Sequence, residues 1–301
     1  MNNKSYQLAP LRNIGVSSLP WEGNCKRKPW EYNVTATIPL LDTPDTIGLV
    51  VELLRLQTER PYIILIDTGS TPDNLREIQM LADEDLEVHS MRLNGVQHPS
   101  DFPAMAMDAA FSFCRTNFVF ATHADVFLRK RDFIEQLLKI CRKESPVVGY
   151  EISPRSHVDW HGMVSHTATM YHLPSMDKIG FGWSQRRLCN LYDINSHKPD
   201  PLKPNWPDTE ILGNYILRKY NIVPVLIGHD ENFIRQVDDN IDHCRSLTAA
   251  RLYSPDYRKK AEEWLLDATK EALERIDVWR RETELEKIIP ENQHRVLDIT
   301  T

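Results

Sequence analysis

Tyr62-Ile63-Ile64-Leu65-Ile66-Asp67-Thr68-Gly69-Ser70-Thr71-Pro72-Asp73 joins a run of aliphatic side chains to an acidic turn. Ile63 to Ile66 suit a strand covered on both faces, as in a parallel sheet. Gly69 supplies the turn, and Pro72 with Asp73 opens a helical pattern carried by Leu75, Ile78, Gln79 and Ala82. Upstream, Ile47, Val50, Val51 and Leu54 also fall at helical spacing. Helix, buried strand, acidic turn, helix is an α/β pattern. Ligands of such sheets sit beyond the carboxyl ends of the strands, which is where Asp67 falls.

The same string is also similar to the catalytic turn of the aspartic proteases, in which hydrophobic residues lead into Asp-Thr-Gly-Ser. That chemistry needs two aspartates sharing a proton, because two carboxylates about 3 Å apart do not both ionise. This chain has a single Asp-Thr-Gly, at Asp67. A protease would therefore be a symmetric dimer in all-strand surroundings, and the flanking helical patterns oppose it.

Composition narrows the class. With 301 residues, 41% hydrophobic and 26% charged, the chain suits one large α/β domain or two small ones. Its apolar runs fall short of the roughly 20 residues of a membrane span, and the stretch opening with Met1-Asn2-Asn3-Lys4 lacks the apolar core expected of a signal peptide. Cys25, Cys114, Cys141, Cys189 and Cys244 are widely spaced and form no Cys-x-x-Cys. Reduced thiols in a cytoplasmic protein are expected. The net charge of −7 does not indicate a nucleic-acid-binding surface.

Residues 1–33, broken by Pro10, Pro20 and Pro29, read as an irregular arm. Strands are expected at Val34–Pro39, Tyr62–Ile66, Leu86–Met91, Asn117–Thr122 and Val147–Tyr150. Helices are expected over 46–58, 72–82, 102–114 and 131–141. Beyond Tyr150 the periodicity degrades, apart from a helix over 210–220 and a strand over 222–227. A long amphipathic helix runs from Tyr257 to about Glu286, its stripe made by Ala261, Trp264, Leu265, Ala268, Ala272, Ile276 and Trp279. That stripe is expected to dock on the domain or on the partner in a homodimer.

Five pieces occur in order: Thr37-Ile38-Pro39, Asp67-Thr68-Gly69-Ser70-Thr71, His123-Ala124-Asp125, Pro207-Asp208-Thr209-Glu210 and Gly228-His229. The ordered set, over Val34 to His229, resembles the inverting family 2 glycosyltransferases. The resemblance implies a GT-A (Rossmann-like) α/β fold with a mainly parallel central sheet flanked by helices. It divides the chain into a nucleotide-sugar-binding half, 34–150, and an acceptor-binding half, 151–250. The C-terminal helical extension, 251–301, lies outside the family's pattern.

On that resemblance the donor is a nucleotide-diphosphate sugar, with a UDP-type donor favoured, and the acceptor is a hydroxyl of a glycan, a metabolite or another molecule. Thr37, Pro39, Asp67 and Ser70 fall on the donor side, with Asp67 accepting the imide N–H of the base; the alternative is a plain turn residue stabilising the next helix. His123 and Asp125 are expected to hold Mn²⁺ or Mg²⁺ on the diphosphate, since residues i and i+2 at a strand end point the same way. His123 stands where the family usually has an aspartate. His229 matches the family's late metal ligand, with His243 as the alternate. Asp208 aligns with the general base and Glu210 competes with it; both also suit a helix N-terminus. Without metal, Arg235 or Arg245 are candidates to stabilise the leaving group.

The remaining features carry less. His157-Val158-Asp159-Trp160-His161, with His166 and His172, suggests zinc, yet Pro154 and Gly162 flank it and no further ligand completes a motif. Trp160, Trp183 and Trp206 suit either sugar stacking or core packing. Ala106-Met107-Asp108 stands where the family often has Ala-x-Asn. The prolines between Trp183 and Asp208 suggest an inserted lid or specificity loop. A degenerate GT-A protein that binds a nucleotide or glycan without turnover is the standing alternative to an enzyme.

Overall fold

A computed structural model describes residues 16–20, 31–93, 101–152, 161–184, 209–230, 235–244 and 255–297. Its frame is an eight-stranded sheet in the order β1-β4-β3-β2-β5-β8-β7-β9. The strands are β1 (Val16–Pro20), β2 (Val34–Leu40), β3 (Tyr62–Asp67), β4 (Leu86–Leu93), β5 (Phe118–Thr122), β7 (Val147–Ile152), β8 (Ala168–His172) and β9 (Val225–Asp230). All run in one direction except β1 and β8. A second sheet of three antiparallel strands, in the order β10-β11-β6, is built from β6 (Val126–Leu128), β10 (Gln236–Val237) and β11 (Ile241–His243).

The central strands are apolar on both faces because helices cover both. Every residue of β3 is buried. Ile63 and Leu65 join one core with α1 (Pro44–Arg55), α4 (Phe133–Ile140) and the C-terminal helix α7 (Pro255–Leu297). Tyr62, Ile64 and Ile66 join another with α3 (Asp101–Phe113). Beside it, α5 (Leu173–Ile179) and α6 (Thr209–Lys219) pack with Trp183 and Tyr171 on the α3 side. The short helix α2 (Pro72–Gln79) follows the acidic turn. Its N-cap is Thr71, whose hydroxyl accepts the Asn74 N–H at 3.4 Å.

The apolar stripe of α7 docks on the chain itself. Ala261, Ala268, Ala272, Ile276 and Trp279 are buried, and Trp264 and Leu265 are half-buried. Arg131 forks onto Glu286 at 2.6 and 2.8 Å, Arg280 reaches Glu52 at 2.8 Å, and Arg275 donates to the Leu128 carbonyl at 2.9 Å. Among the described residues no helix is long and apolar enough to cross a membrane.

Six elements illustrate departures from expectation. Val16–Pro20, within the arm, pairs antiparallel with β4 as an edge strand. The strands β8, β10 and β11 have too few residues, with too little alternation, to be read from periodicity. The strand expected over 222–227 runs instead from Val225 to Asp230 and so carries His229 within it. Helix α7 extends to Leu297.

Close backbone approach between β7 and its neighbour β8 sets the distance at which the two strands pack. A Cβ added at Gly149 would lie 1.9 Å from the Thr169 hydroxyl oxygen and 2.8 Å from its Cβ. Gly149→Ala is expected to destabilise the protein by about 1–3 kcal/mol through overpacking. Gly48→Ala, on α1 with nothing within 4 Å of the new carbon, is expected to stabilise it by about 0.5–1 kcal/mol. Urea midpoints of the two variants against wild type check both values.

Candidate functional site

Parallel register brings the acidic turn and the His-x-Asp segment to one edge of the sheet. Leu40 of β2 pairs with Asp67 of β3, and Asp67 pairs with Ser90 of β4. On the other side of β2, Thr37 pairs with Ala121, two residues before His123. Asp67 and Asp125 therefore both lie at the carboxyl ends of parallel strands.

Asp67 is fully buried, and its carboxylate faces its own turn. It accepts the Gly69 N–H at 3.3 Å, the Ser70 N–H at 3.0 Å and the Ser90 hydroxyl at 3.1 Å. Gly69 takes φ +123°, a conformation L side chains rarely adopt. Ser70 Oγ accepts the Asp42 N–H at 2.7 Å, and Asp42 Oδ1 accepts the Thr71 N–H at 2.8 Å. These bonds stitch the loop after β2 to the loop after β3. Thr37 is buried, with Oγ1 4.0 Å from Met107 Sδ, and Pro39 is half-buried at the same edge. All-strand surroundings of the kind a dimeric aspartic protease needs are not found around Asp67, which lies between a parallel strand and a helix.

The second sheet completes the centre. Strand β11 pairs antiparallel with β6, setting His243 opposite Val126, and the Cys244 N–H bonds to the Asp125 carbonyl at 3.0 Å. His243 Nε2 comes within 3.6 Å of Asp125 Oδ1. One ligand atom each from His123, Asp125 and His243 lie within 4.8 Å of one another. The His123 Nε2 is buried with no hydrogen-bond partner among the described residues. Burial, with the neighbouring His166 and His243, holds the His123 imidazole well below its ordinary pKa. It is neutral at pH 7, the form in which imidazole binds a metal. Two imidazoles and a carboxylate suit a divalent first-row ion, Mn²⁺ included.

His229 is not brought to this group. It lies on the outward side of β9, its side chain 74% exposed and its Nδ1 3.1 Å from Glu151. Successive residues of a strand face opposite ways, so Asp230 is the one that turns inward. Asp230 is buried, accepts the Thr167 hydroxyl at 2.8 Å, and places Oδ1 3.8 Å from His243 Nδ1. Of the two histidines considered, His243 and not His229 lies beside His123 and Asp125.

Glu210 opens α6 and is buried beside His166, with Oε1 2.7 Å from His166 Nδ1. Asn214, one turn on, locks this helix in place. It accepts the Val164 N–H at 2.8 Å and donates to the Val164 and Glu210 carbonyls at 2.9 Å each. The His166 ring in turn lies 4.2 Å from that of His123, so the helix start and the His-x-Asp segment share one buried cluster.

Trp183 is fully buried and packs edge-on to Phe181 and Tyr171 at centroid distances of 5.0 and 5.5 Å, which makes it core and not a sugar platform. Asp108 takes the part of a clamp: its carboxylate accepts the Trp183 N–H at 2.7 Å and the Ser184 N–H at 3.0 Å. Arg235 is bound to Asp242 by two bonds of 2.9 and 2.6 Å and is turned toward Glu271 of α7. Asp208, Trp160, Trp206, His157 and Arg245 lie outside the described residues.

His166, Thr167 and Asp230 were not assigned to the centre by sequence. Ser165-His166-Thr167 precedes a strand too short to show a period, and its only signal was the density of histidines. Asp230 was signalled by parity alone, one residue beyond a histidine that drew attention.

No protein-family model matches the chain, and no curated protein sequence matches it. Solved structures do resemble it. The mannosyltransferase PcManGT from Pyrobaculum calidifontis, in complex with GDP-Man and Mn²⁺, aligns at a TM-score of 0.49 and 12% identity over 90% of this chain and 85% of its own. Glucosyl-3-phosphoglycerate synthase from Mycobacterium tuberculosis aligns at 0.40 and 13%, over 79% of this chain and 80% of its own. S. aureus TarS aligns at 0.39 and 12%, over 51% of this chain but only 30% of the TarS chain. At these identities and scores the likeness assigns no activity.

The buried neutral His123 has a consequence for stability. Its pKa is depressed in the folded chain, so below about pH 6.5 the unfolded chain binds a proton that the folded chain does not. Stability is present above that pH and is lost as pH falls. In EDTA, wild type is expected to lose about 1 kcal/mol more than His123→Asn between pH 6.5 and 5.5, since the unfolded imidazole goes from half to mostly protonated across that unit. Urea titrations of both proteins across that range measure the difference.

Proposed function

We propose that the chain is a glycosyltransferase that moves a sugar from a nucleotide-diphosphate donor to a hydroxyl acceptor with inversion. The reading is carried by one observation: His123, Asp125 and His243 converge at the carboxyl edge of a parallel sheet, beside a helix with Glu210 in its first turn. The ordered motifs of the family 2 transferases supply the donor class, with UDP-type donors favoured.

In this reading Thr37, Pro39 and the Asp67–Ser70 turn shape the edge against which the nucleoside lies. Asp67 acts there by holding the turn, since its carboxylate already accepts three bonds. His123, Asp125 and His243 hold the divalent ion. Bound there, Mn²⁺ or Mg²⁺ would act as a Lewis acid, neutralising charge on the leaving diphosphate. On the family's pattern Asp208 takes the acceptor's proton, and Glu210, 2.7 Å from His166, is its competitor. A carboxylate that takes this proton as the hydroxyl attacks the anomeric carbon from the face opposite the leaving group gives an inverted product.

Two experiments test the reading. In calorimetry, UDP binding is expected to strengthen on addition of Mn²⁺, and Asp125→Ala is expected to remove that gain while leaving metal-free binding intact. Equal UDP binding with and without metal in wild type would reject the metal role.

With a donor found by thermal-shift screening of UDP-sugars, Asp208→Asn is expected to keep donor binding and lose transfer by roughly 10²–10⁴-fold. Glu210→Gln is expected to lose less, and the product anomer to be inverted. Wild-type turnover in Asp208→Asn would move the role to Glu210. A donor that binds to wild type and is neither transferred nor hydrolysed would make the protein a binding module.

A further inference from the structure

The geometry points to Asp230 as an outer carboxylate of the metal centre, a positioning residue that sets the tautomer and direction of His243. This inference rests on the reading that His123, Asp125 and His243 hold a divalent ion. The His243 ring is bracketed: Nε2 lies 3.6 Å from Asp125 Oδ1, on the side of the ligand group, and Nδ1 lies 3.8 Å from Asp230 Oδ1. A carboxylate on the Nδ1 side favours the tautomer with the proton on Nδ1, which leaves the Nε2 lone pair for the ion.

Asp230 is itself fixed by a buried chain whose direction follows from the donors present. The Asp230 carboxylate only accepts, so the Thr167 hydroxyl must donate to it, at 2.8 Å. That uses the single Thr167 hydroxyl proton. The 2.8 Å contact between the Ser165 and Thr167 hydroxyls is then donated by Ser165, whose oxygen accepts the Thr167 N–H at 3.2 Å. Ser165, Thr167, Asp230 and His243 are all at most 4% exposed. The run Ser165-Thr167-Asp230-His243 thus crosses from the segment before β8, through the end of β9, to β11. It ties three separate parts of the chain to the orientation of one imidazole.

A purely structural network and an outer carboxylate differ in what happens to metal affinity. Mn²⁺ alone is the probe, titrated calorimetrically into the EDTA-stripped full chain at pH 7.5. Asp230→Asn preserves shape and the acceptor for Thr167 but weakens the partner of His243; Mn²⁺ affinity is expected to fall roughly 10- to 100-fold, the span seen when such outer partners are removed. Thr167→Val, which leaves every charge in place, is expected to give a smaller loss in the same direction and supplies the test if Asp230→Asn does not fold.

The outcomes separate the two claims. Mn²⁺ affinity within twofold of wild type in the folded variants overturns the role of Asp230 and leaves the metal centre standing. Wild-type protein that takes up no Mn²⁺ overturns the metal centre and this inference with it.

Discussion

The antiparallel pairing of β11 with β6 is the constraint on which the centre depends. His123 and Asp125 come from the end of a parallel strand, where the main sheet alone would leave them as a pair. Three residues of β6 immediately follow them, and β11 returns from more than a hundred positions away to pair with those three. The bond from the Cys244 N–H to the Asp125 carbonyl fixes the register. A slip of one residue would turn His243 away and bring Asp242 in its place.

That pairing is braced from behind. Asp242 and His243 point to opposite faces of β11, and the outward face meets α7. Arg235 grips Asp242 with two bonds and lies 3.2 Å from Glu271 of α7. Asp242 is fully buried, and an unpaired buried carboxylate costs several kcal/mol. The Arg235 fork therefore stabilises the strand only in the register that presents His243 to Asp125. Helix α7 lies outside the motif-bearing part of the chain, yet it holds the strand that completes the site.

Much of this was legible in the sequence where burial imposes a period. The doubly covered strands β2, β3 and β5 and the helices α1, α3, α4 and α7 declared themselves by runs and stripes of apolar residues. The joint placement of Asp67 and Asp125 at one sheet edge followed from consecutive parallel strands. The site itself was legible in part. His123 and Asp125 stand at a strand end, where i and i+2 agree. His243, His166 and Asp230 do not, because short strands of two to six residues bring them together and no local pattern encodes which distant strand will be a neighbour. Asp67 illustrates a different limit. Its position was clear, but that three donors would occupy its carboxylate depends on Ser90 arriving from β4 and on a positive φ at Gly69.

The strand β9 sets by parity which charge faces the interior. Glu151 and His229 pair across β7 and β9 on one face, and Ile152 and Asp230 on the next step. Adjacent residues of opposite character are thereby sorted, the imidazole to solvent and the carboxylate to the interior. Gain of one residue in the linker between α6 and β9, with the strand pairing kept in place, would move His229 into the position of Asp230. An imidazole would then face His243 across the space now held by a carboxylate, and a negative charge would leave that place without any substitution in the strand. A one-residue insertion in that linker thus acts as a sign switch on the centre, independent of which side chain it adds.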